Sequence, residues 1–506
     1  MWKSAFLTFT KEYKYSILIG FVYFLLEYIF NGPFSVGYFV DEFYYLSCAD
    51  RLAFGYVDHP PFSIFLLKII VFLFGDSVDA IRVFPALFGA ASVLLTGVIA
   101  KKLGGGTWAA AFSSLCFATS PLLQVLFGFY SMNSIEILLL NILILLSINL
   151  IEKDRFLYWI AAGLVIGIGV ENKHTFSVYV AAILLGLLLG GHSRRIFSKK
   201  SLLSALIALI IMIPNIFWMY QNDWVSLEFY SNANKLKNIF TPPWKVLFDQ
   251  ILSHNPFLFP IWFGGLLYLL VIEKTRRFCY LGYAYLALLL LMLLSGSSRP
   301  DRIAGLYPLL LAAGAVYLEI LISKRWKTYV SALCVLSGFV FIPIGIPILP
   351  AEALANYTRF LGVVPVIEKG KHSLLPQWFA DRYDWEIYVQ KVEEAVLKLT
   401  EEDRKQLIVL AASYGQASTL EKFGFNLAPV ISGHNNYYLW RPKNIDAKLF
   451  LAIGYPEETL RTNFGEVVLI GRFSRRYSRS IDEPIFLCRK PKESVLNSIR
   501  NLKMFR

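Results

Sequence analysis

The sequence predicts a polytopic α-helical membrane protein of about eleven spans, followed by a C-terminal α/β domain. Of the 506 residues, 56% are hydrophobic and only 17% charged, too apolar for a soluble globule. Apolar runs of about twenty residues recur through the first two thirds, each long enough to cross a hydrocarbon core of about 30 Å. Beyond Leu349 charged helical segments alternate with short β-rich runs, the pattern of a compact α/β domain.

Met1 to Tyr15 is basic, and the apolar stretch behind it is full length without a small-residue cleavage site, so it reads as a retained signal anchor. Spans are expected at about 15–32, 81–100, 107–126, 132–151, 156–171, 174–191, 202–220, 251–272, 278–295, 303–322 and 329–349. Alternate connections carry most of the Lys and Arg of this region: the N-terminus, Lys101-Lys102, Lys153 to Arg155, Arg194 to Lys200, Lys274 to Arg277 and Lys324 to Lys327. That bias makes them cytoplasmic and sends 33–80, the turn Glu171 to His174, 221–250 and 296–302 to the other side. An odd span count places everything after Pro350 there too. The expected domains are a membrane domain over 1–349, with 33–80 as its first outer loop, and an extracytoplasmic domain over 350–506.

Within the outer loop, Phe43 to Phe54 and Phe62 to Phe74 read as interfacial helices separated by Pro60-Pro61. In the last segment, helices are expected over Asp384 to Leu399, Pro456 to Asn463 and Pro491 to Leu502. Strands are expected over Gln406 to Ala411, Tyr437 to Trp440, Lys448 to Ile453, Val467 to Phe473 and Ile485 to Cys488. The net charge of +13 does not signal nucleic acid, because the basic residues cluster in short loops as membrane topology requires. Five scattered cysteines without a Cys-x-x-Cys pair argue against a disulfide framework or a thiolate metal site.

The tract Val40-Asp41-Glu42-Phe43-Tyr44-Tyr45, followed by Gly55-Tyr56-Val57-Asp58-His59-Pro60-Pro61-Phe62, concentrates four ionisable groups where the chain leaves its first span. Asp41 follows the apolar Tyr38-Phe39-Val40, where partial desolvation raises basicity. Glu42 reads either as a helix cap or as a substrate contact, and Asp58 either as a turn residue or as part of a site. Arg82, Glu136, Glu171 and Lys173 lie at the edges of apolar spans on the same predicted side. A charge in hydrocarbon costs roughly 2.5–3.5 kcal/mol on insertion scales, so each needs protein, water or a partner. Structural salt bridging among them is the competing reading.

A carboxylate base, cations near headgroup depth and an aromatic rim suit one chemistry: sugar transfer from a lipid-linked phosphosugar to an acceptor at the outer face. The lipid phosphate leaves once its charge is neutralised. One carboxylate deprotonates the acceptor hydroxyl, with inversion at the anomeric carbon. Tyr44, Tyr45 and Tyr56 are candidates to stack on sugar or line a lipid groove, although interfacial aromatics are expected anyway. His254 is a candidate to join Asp58 or His59 at a divalent metal ion, although a lone histidine near a span start is more often interfacial.

These motifs resemble the PMT-like glycosyltransferases of the GT-C superfamily, which include protein O-mannosyltransferases and the aminoarabinose transferase that modifies lipid A. The likeness continues through Phe74-Gly75-Asp76-Ser77, Ala80-Ile81-Arg82, Ser131-Met132-Asn133, Glu171-Asn172-Lys173 and Tyr307-Pro308. In the tail it includes Leu375 to Asp381, Tyr414-Gly415-Gln416-Ala417 and Gly433-His434-Asn435, so it covers nearly the whole chain. The resemblance implies a GT-C fold in the inner or plasma membrane, a polyprenyl-phosphate sugar donor among the membrane lipids, and a lipid, glycan or protein acceptor.

Position by position, Asp41 matches the acidic residue taken as catalytic base, Glu136 the supporting acidic position, and Lys173 the lysine that meets the lipid phosphate. Asp58 stands where the aminoarabinose transferase has a metal-associated glutamate, and His59 replaces its lysine. That departure shifts the expected phosphate contact to Lys173 and Arg82 and leaves a divalent metal ion open. Arg299-Pro300-Asp301-Arg302 departs from a tyrosine-rich stretch before Tyr307-Pro308, which puts Arg299, Arg302 and Tyr307 among the expected substrate contacts. The rival from another class is a transporter or lipid flippase without transferase activity. It would favour inverted repeats and mid-membrane polar groups, and no internal repeat stands out.

Overall fold

A computed structural model describes residues 2–236, 241–295, 299–362, 373–442, 447–477, 482–492 and 503–505. The chain folds as two compact units. One is built from Met1–Ser35, Ile70–Phe217 and Ile239–Pro350, the other from Val36–Ile69, Trp218–Asn238 and Ala351–Arg506.

The first unit is an array of apolar helices, and the protein is a polytopic membrane protein. Among the described residues seven helices are long and apolar enough to cross a bilayer: Thr8–Asn31, Val78–Lys102, Met132–Lys153, Lys199–Gln221, Glu273–Ser295, Pro300–Leu321 and Lys324–Gly345. The number reaches nine if two bent pairs each make one span. Thr107–Ala118 and Pro121–Phe127 meet at 70°, and Pro243–Ser253 and Pro256–Val271 at 99°. The sequence reading drew 107–126 and 251–272 as single runs. Proline explains the bends: Pro121 and Pro256 donate no N–H and push the preceding residue out of the α region, where Asn255 has φ 68°. Phe156–Asn172 and Phe176–Leu189 are shorter apolar helices.

Helix seams here use small residues, as expected where lipid supplies no hydrophobic drive for association. A Cβ at Gly265 would overlap the Leu310 carbonyl oxygen and one at Gly314 that of Ile261, so the two glycines let Phe259–Val271 and Tyr307–Leu321 meet backbone to backbone. Arg82, near the start of Val78–Lys102, is buried. Its Nη1 donates to the Asn31 carbonyl at 2.6 Å and the Ser35 hydroxyl at 2.7 Å, tying that helix to the end of the first. Arg82→Met should therefore destabilise the protein by about 1.5–3 kcal/mol, read as earlier thermal unfolding in detergent. Unfolding at the native temperature would instead favour the substrate contact expected of Arg82.

In the second unit, residues 407–491 form a five-stranded mixed sheet in the order β2-β1-β3-β5-β4. The strands are β1 (Leu407–Ala411), β2 (Val430–Ser432), β3 (Leu449–Ile453), β4 (Phe464–Ser474) and β5 (Asp482–Pro491). β1 runs parallel to β2 and β3, and β5 antiparallel to β3 and β4. β3 is buried along its whole length, as a central strand covered on both faces must be. Tyr437 to Trp440, expected as a strand, is instead the helix Asn436–Trp440. Asn435 turns the chain at φ 48°, and the Tyr437 hydroxyl reaches Glu421 Oε2 at 2.7 Å, which overrides the β preference of the aromatic run. The helix expected over Pro491 to Leu502 lies largely outside the described residues.

The helix Val40–Asp50 belongs to this unit and is buried from Glu42 to Ala49, so it is internal rather than interfacial. It packs on the helix Tyr414–Lys422, whose start is fixed by a reciprocal cap: Ser413 Oγ accepts from Gln416 N, and Gln416 Oε1 accepts from Ser413 N. Gly415 makes the approach possible, because a Cβ there would overlap Val40 Cγ2. At the other end Arg51 forks onto Glu421 at 3.0 and 2.8 Å, and Glu421 also accepts from the Ser47 and Tyr437 hydroxyls. Val225–Leu236 joins through Ser226 Oγ on the Tyr56 carbonyl and Asn232 Nδ2 on the Phe505 carbonyl.

Candidate functional site

In the second unit the carboxylates of Asp41 and Asp58 are held by a pair of tyrosines. Asp41 begins the buried helix and is half-buried, and its Oδ1 accepts from the Tyr414 hydroxyl at 2.8 Å. Asp58, in the turn before Pro60-Pro61, accepts from the Tyr44 hydroxyl at 2.8 Å. The two rings lie 4.6 Å apart, so each tyrosine clamps one carboxylate while packing on the other. Burial and then the Asp41 carboxylate push the Tyr414 phenol well above its usual range; burial and then Asp58 do the same to Tyr44. Both therefore remain donors.

Tyr45 is buried with its ring edge-on to His59 at 5.5 Å, and Tyr56 packs on the same imidazole at 4.8 Å. Glu42 accepts from the Phe39 amide at 2.8 Å, which is the capping geometry. His434 faces the Tyr414 ring at 4.7 Å and lies 3.3 Å from its amide, a structural position.

In the first unit a second polar cluster surrounds Lys173. Its ammonium donates to Glu136 Oε2 and to Asn133 Oδ1, both at 2.7 Å, and Thr175 Oγ1 donates to Glu136 Oε1 at 3.1 Å. Glu136 is buried, while Lys173 keeps a fifth of its side chain exposed. Asp301 pairs with Arg299 at 2.8 Å and has Lys173 and Arg302 as further charged neighbours. Tyr179 ties the region together, its hydroxyl donating to the Arg302 carbonyl at 2.8 Å. Tyr307 is buried deeper, bonded to Gln250 and Tyr285 and stacked on His254 at 3.7 Å.

Tyr414, Asn133 and Thr175 had no role in the sequence reading. Tyr414 and Asn133 do stand in motifs that carry the family likeness, which was the only signal for them.

The donors fit a metal ion poorly. Among the described residues no three His, Cys, Asp or Glu come together to hold one. His59 Nδ1 is bonded to the Pro60 carbonyl, and its Nε2 lies 3.9 Å from Asp58 Oδ1, a pair rather than a ligand set. His254 Nδ1 is bonded to Ser120.

Residues 58–218 match the family model described as dolichyl-phosphate-mannose-protein mannosyltransferase. The structure aligns with ArnT from Cupriavidus metallidurans, solved bound to undecaprenyl phosphate, with a TM-score of 0.61 at 14% identity, over 94% of this chain and 98% of that one. The chain shares the fold of ArnT. Two curated relatives come from Rhizobium johnstonii. The lipopolysaccharide core galacturonosyltransferase RgtB is 27% identical over 34% of this chain, and the lipid A galacturonosyltransferase RgtD 24% identical over 37%. The matches span only 35% and 40% of those relatives' own lengths.

Proposed function

We propose that the protein moves a sugar from a polyprenyl-phosphate donor to a hydroxyl of a lipid, glycan or protein acceptor, at the outer face of the inner or plasma membrane. The observation that carries this reading is the clustering of cations around Lys173: Lys173 pairs with the buried Glu136, and Arg299, Arg302 and Lys173 are the charged neighbours of Asp301. A phosphate suits such a group of preorganised cations.

In the proposed reaction the acceptor oxygen attacks the anomeric carbon and gives its proton to Asp41. The bond from that carbon to the phosphate oxygen breaks with its electron pair going to the phosphate, whose growing charge Lys173 neutralises. A single displacement inverts the anomeric configuration. Tyr44, Tyr45, Asp58 and His59 of the second unit, and Tyr307 of the first, are proposed as substrate contacts.

Eleven spans follow if both bent pairs and the helices Phe156–Asn172 and Phe176–Leu189 all cross. The contacts within the second unit support that pairing. Val36–Ile69, Trp218–Asn238 and the segment from Ala351 onward fold together, so they share one side of the membrane. Between consecutive pieces the chain must cross an even number of times, so the two short helices both cross or neither does. We place this shared unit, with the outer loop and the C-terminal segment, outside the cytoplasm.

The test is the purified protein in liposomes with a polyprenyl-phosphate-linked uronic acid, chosen because two relatives are named galacturonosyltransferases, and a lipopolysaccharide acceptor panel. Release of polyprenyl phosphate coupled to sugar transfer is the expected result. Translocation of the lipid-linked sugar without transfer would establish the transporter reading instead.

A further inference from the structure

We infer that Tyr414, a residue of the C-terminal segment, is a positioning residue for the base: its hydroxyl holds the Asp41 carboxylate in the orientation and charge state that accept the acceptor's proton. This rests on the reading of Asp41 given above. The anchorage of the two helices does not need this contact, since Gly415 against Val40 and the Glu421 cluster at Arg51, Ser47 and Tyr437 already join them. The Tyr414 hydroxyl lies instead at the first turn, on Asp41 Oδ1 at 2.8 Å. Its ring is braced by Tyr44 on one side and His434 on another, at 4.6 and 4.7 Å, so the hydroxyl cannot swing away without unpacking them.

A hydrogen bond donated to a carboxylate favours the charged form and fixes its plane. Ionisable groups near the pair are Glu42, Tyr44 and Tyr45 on the helix of Asp41, Asp58 and His59 in the following turn, and His434 after β2, while Lys422 at the end of the helix Tyr414–Lys422 lies over the Tyr38 ring at 5.2 Å. Among these Asp58 is clamped by Tyr44, so the paired tyrosines hold the two carboxylates apart. In the transfer step the acceptor O–H proton passes to Asp41 while Tyr414 keeps its own proton. The phenol is neutral before and after.

Tyr414→Phe retains the ring and removes only the hydroxyl. Expected are a fall in kcat of about tenfold with the KM for donor little changed, and an acid limb of the pH–rate profile displaced upward by about one unit, because loss of the donor makes Asp41 easier to protonate. A merely structural role would lower the active fraction without moving that limb. Unchanged kcat and an unmoved limb, alongside an inactive Asp41→Asn, overturn the inference and leave the transferase reading standing. If Asp41→Asn turns over like wild type, the base reading falls. The infrared carboxylate band removed by Asp41→Asn then decides for Tyr414: titration at higher pH in Tyr414→Phe sustains the clamp, and an unmoved band ends it.

Discussion

Asp41→Asn should leave a folded protein whose kcat for sugar transfer is lower by about 10²–10⁴-fold, the usual contribution of a positioned general base. The replacement is nearly isosteric, and its amide oxygen can still accept from Tyr414, whose hydroxyl sits 2.8 Å from Oδ1 in the native protein. What disappears is the capacity to take a proton from the acceptor as the new glycosidic bond forms. That demand arises only in the transition state, so the loss should fall on kcat and leave the KM for donor near its native value. Release of polyprenyl phosphate in liposomes measures it. Native turnover by this variant would remove Asp41 from the mechanism.

Lys173→Met should have two separable effects. Activity should fall by about 10²-fold or more in kcat/KM, because the cation proposed to meet the leaving phosphate is lost. Stability should fall by about 3 kcal/mol, because Glu136 is buried and would keep only the Thr175 hydroxyl among its side-chain partners described above. The double variant Lys173→Met with Glu136→Gln removes the stranded charge, so it should recover most of the unfolding temperature and none of the turnover. If activity returned together with stability, the pair would be a structural salt bridge, the competing reading of these span-edge charges.

How much of this could be read from residues alone depends on distance along the chain. Apolar runs declare themselves locally, so the helices around 78–102, 132–153 and 324–345 were legible from composition. The pause at Pro60-Pro61 was too, since the helix resumes at Phe62. Bends at Pro121 and Pro256 were missed because hydropathy averages across a proline whose flanks are equally greasy. The carboxylates at 41, 58 and 136 stood out as charges in apolar company. Their partners did not: Tyr414 lies 373 positions from Asp41, and a tyrosine in a polar segment carries no mark of the acid it will meet. The helix at Asn436–Trp440 was misread for the same reason, its aromatic run being set by contact with Glu421 rather than by local preference.

The helix that begins with Asp41 also constrains how the molecule is made. It leaves the ribosome well ahead of the helix Tyr414–Lys422 that packs on it, since Asp41 and Tyr414 are 373 residues apart. Until the later segments arrive, Phe43 lacks the rings of Trp385 and Phe423, and Tyr44 lacks that of Tyr414. A chain cut short of Tyr414 would thus carry Asp41 without the hydroxyl that meets it.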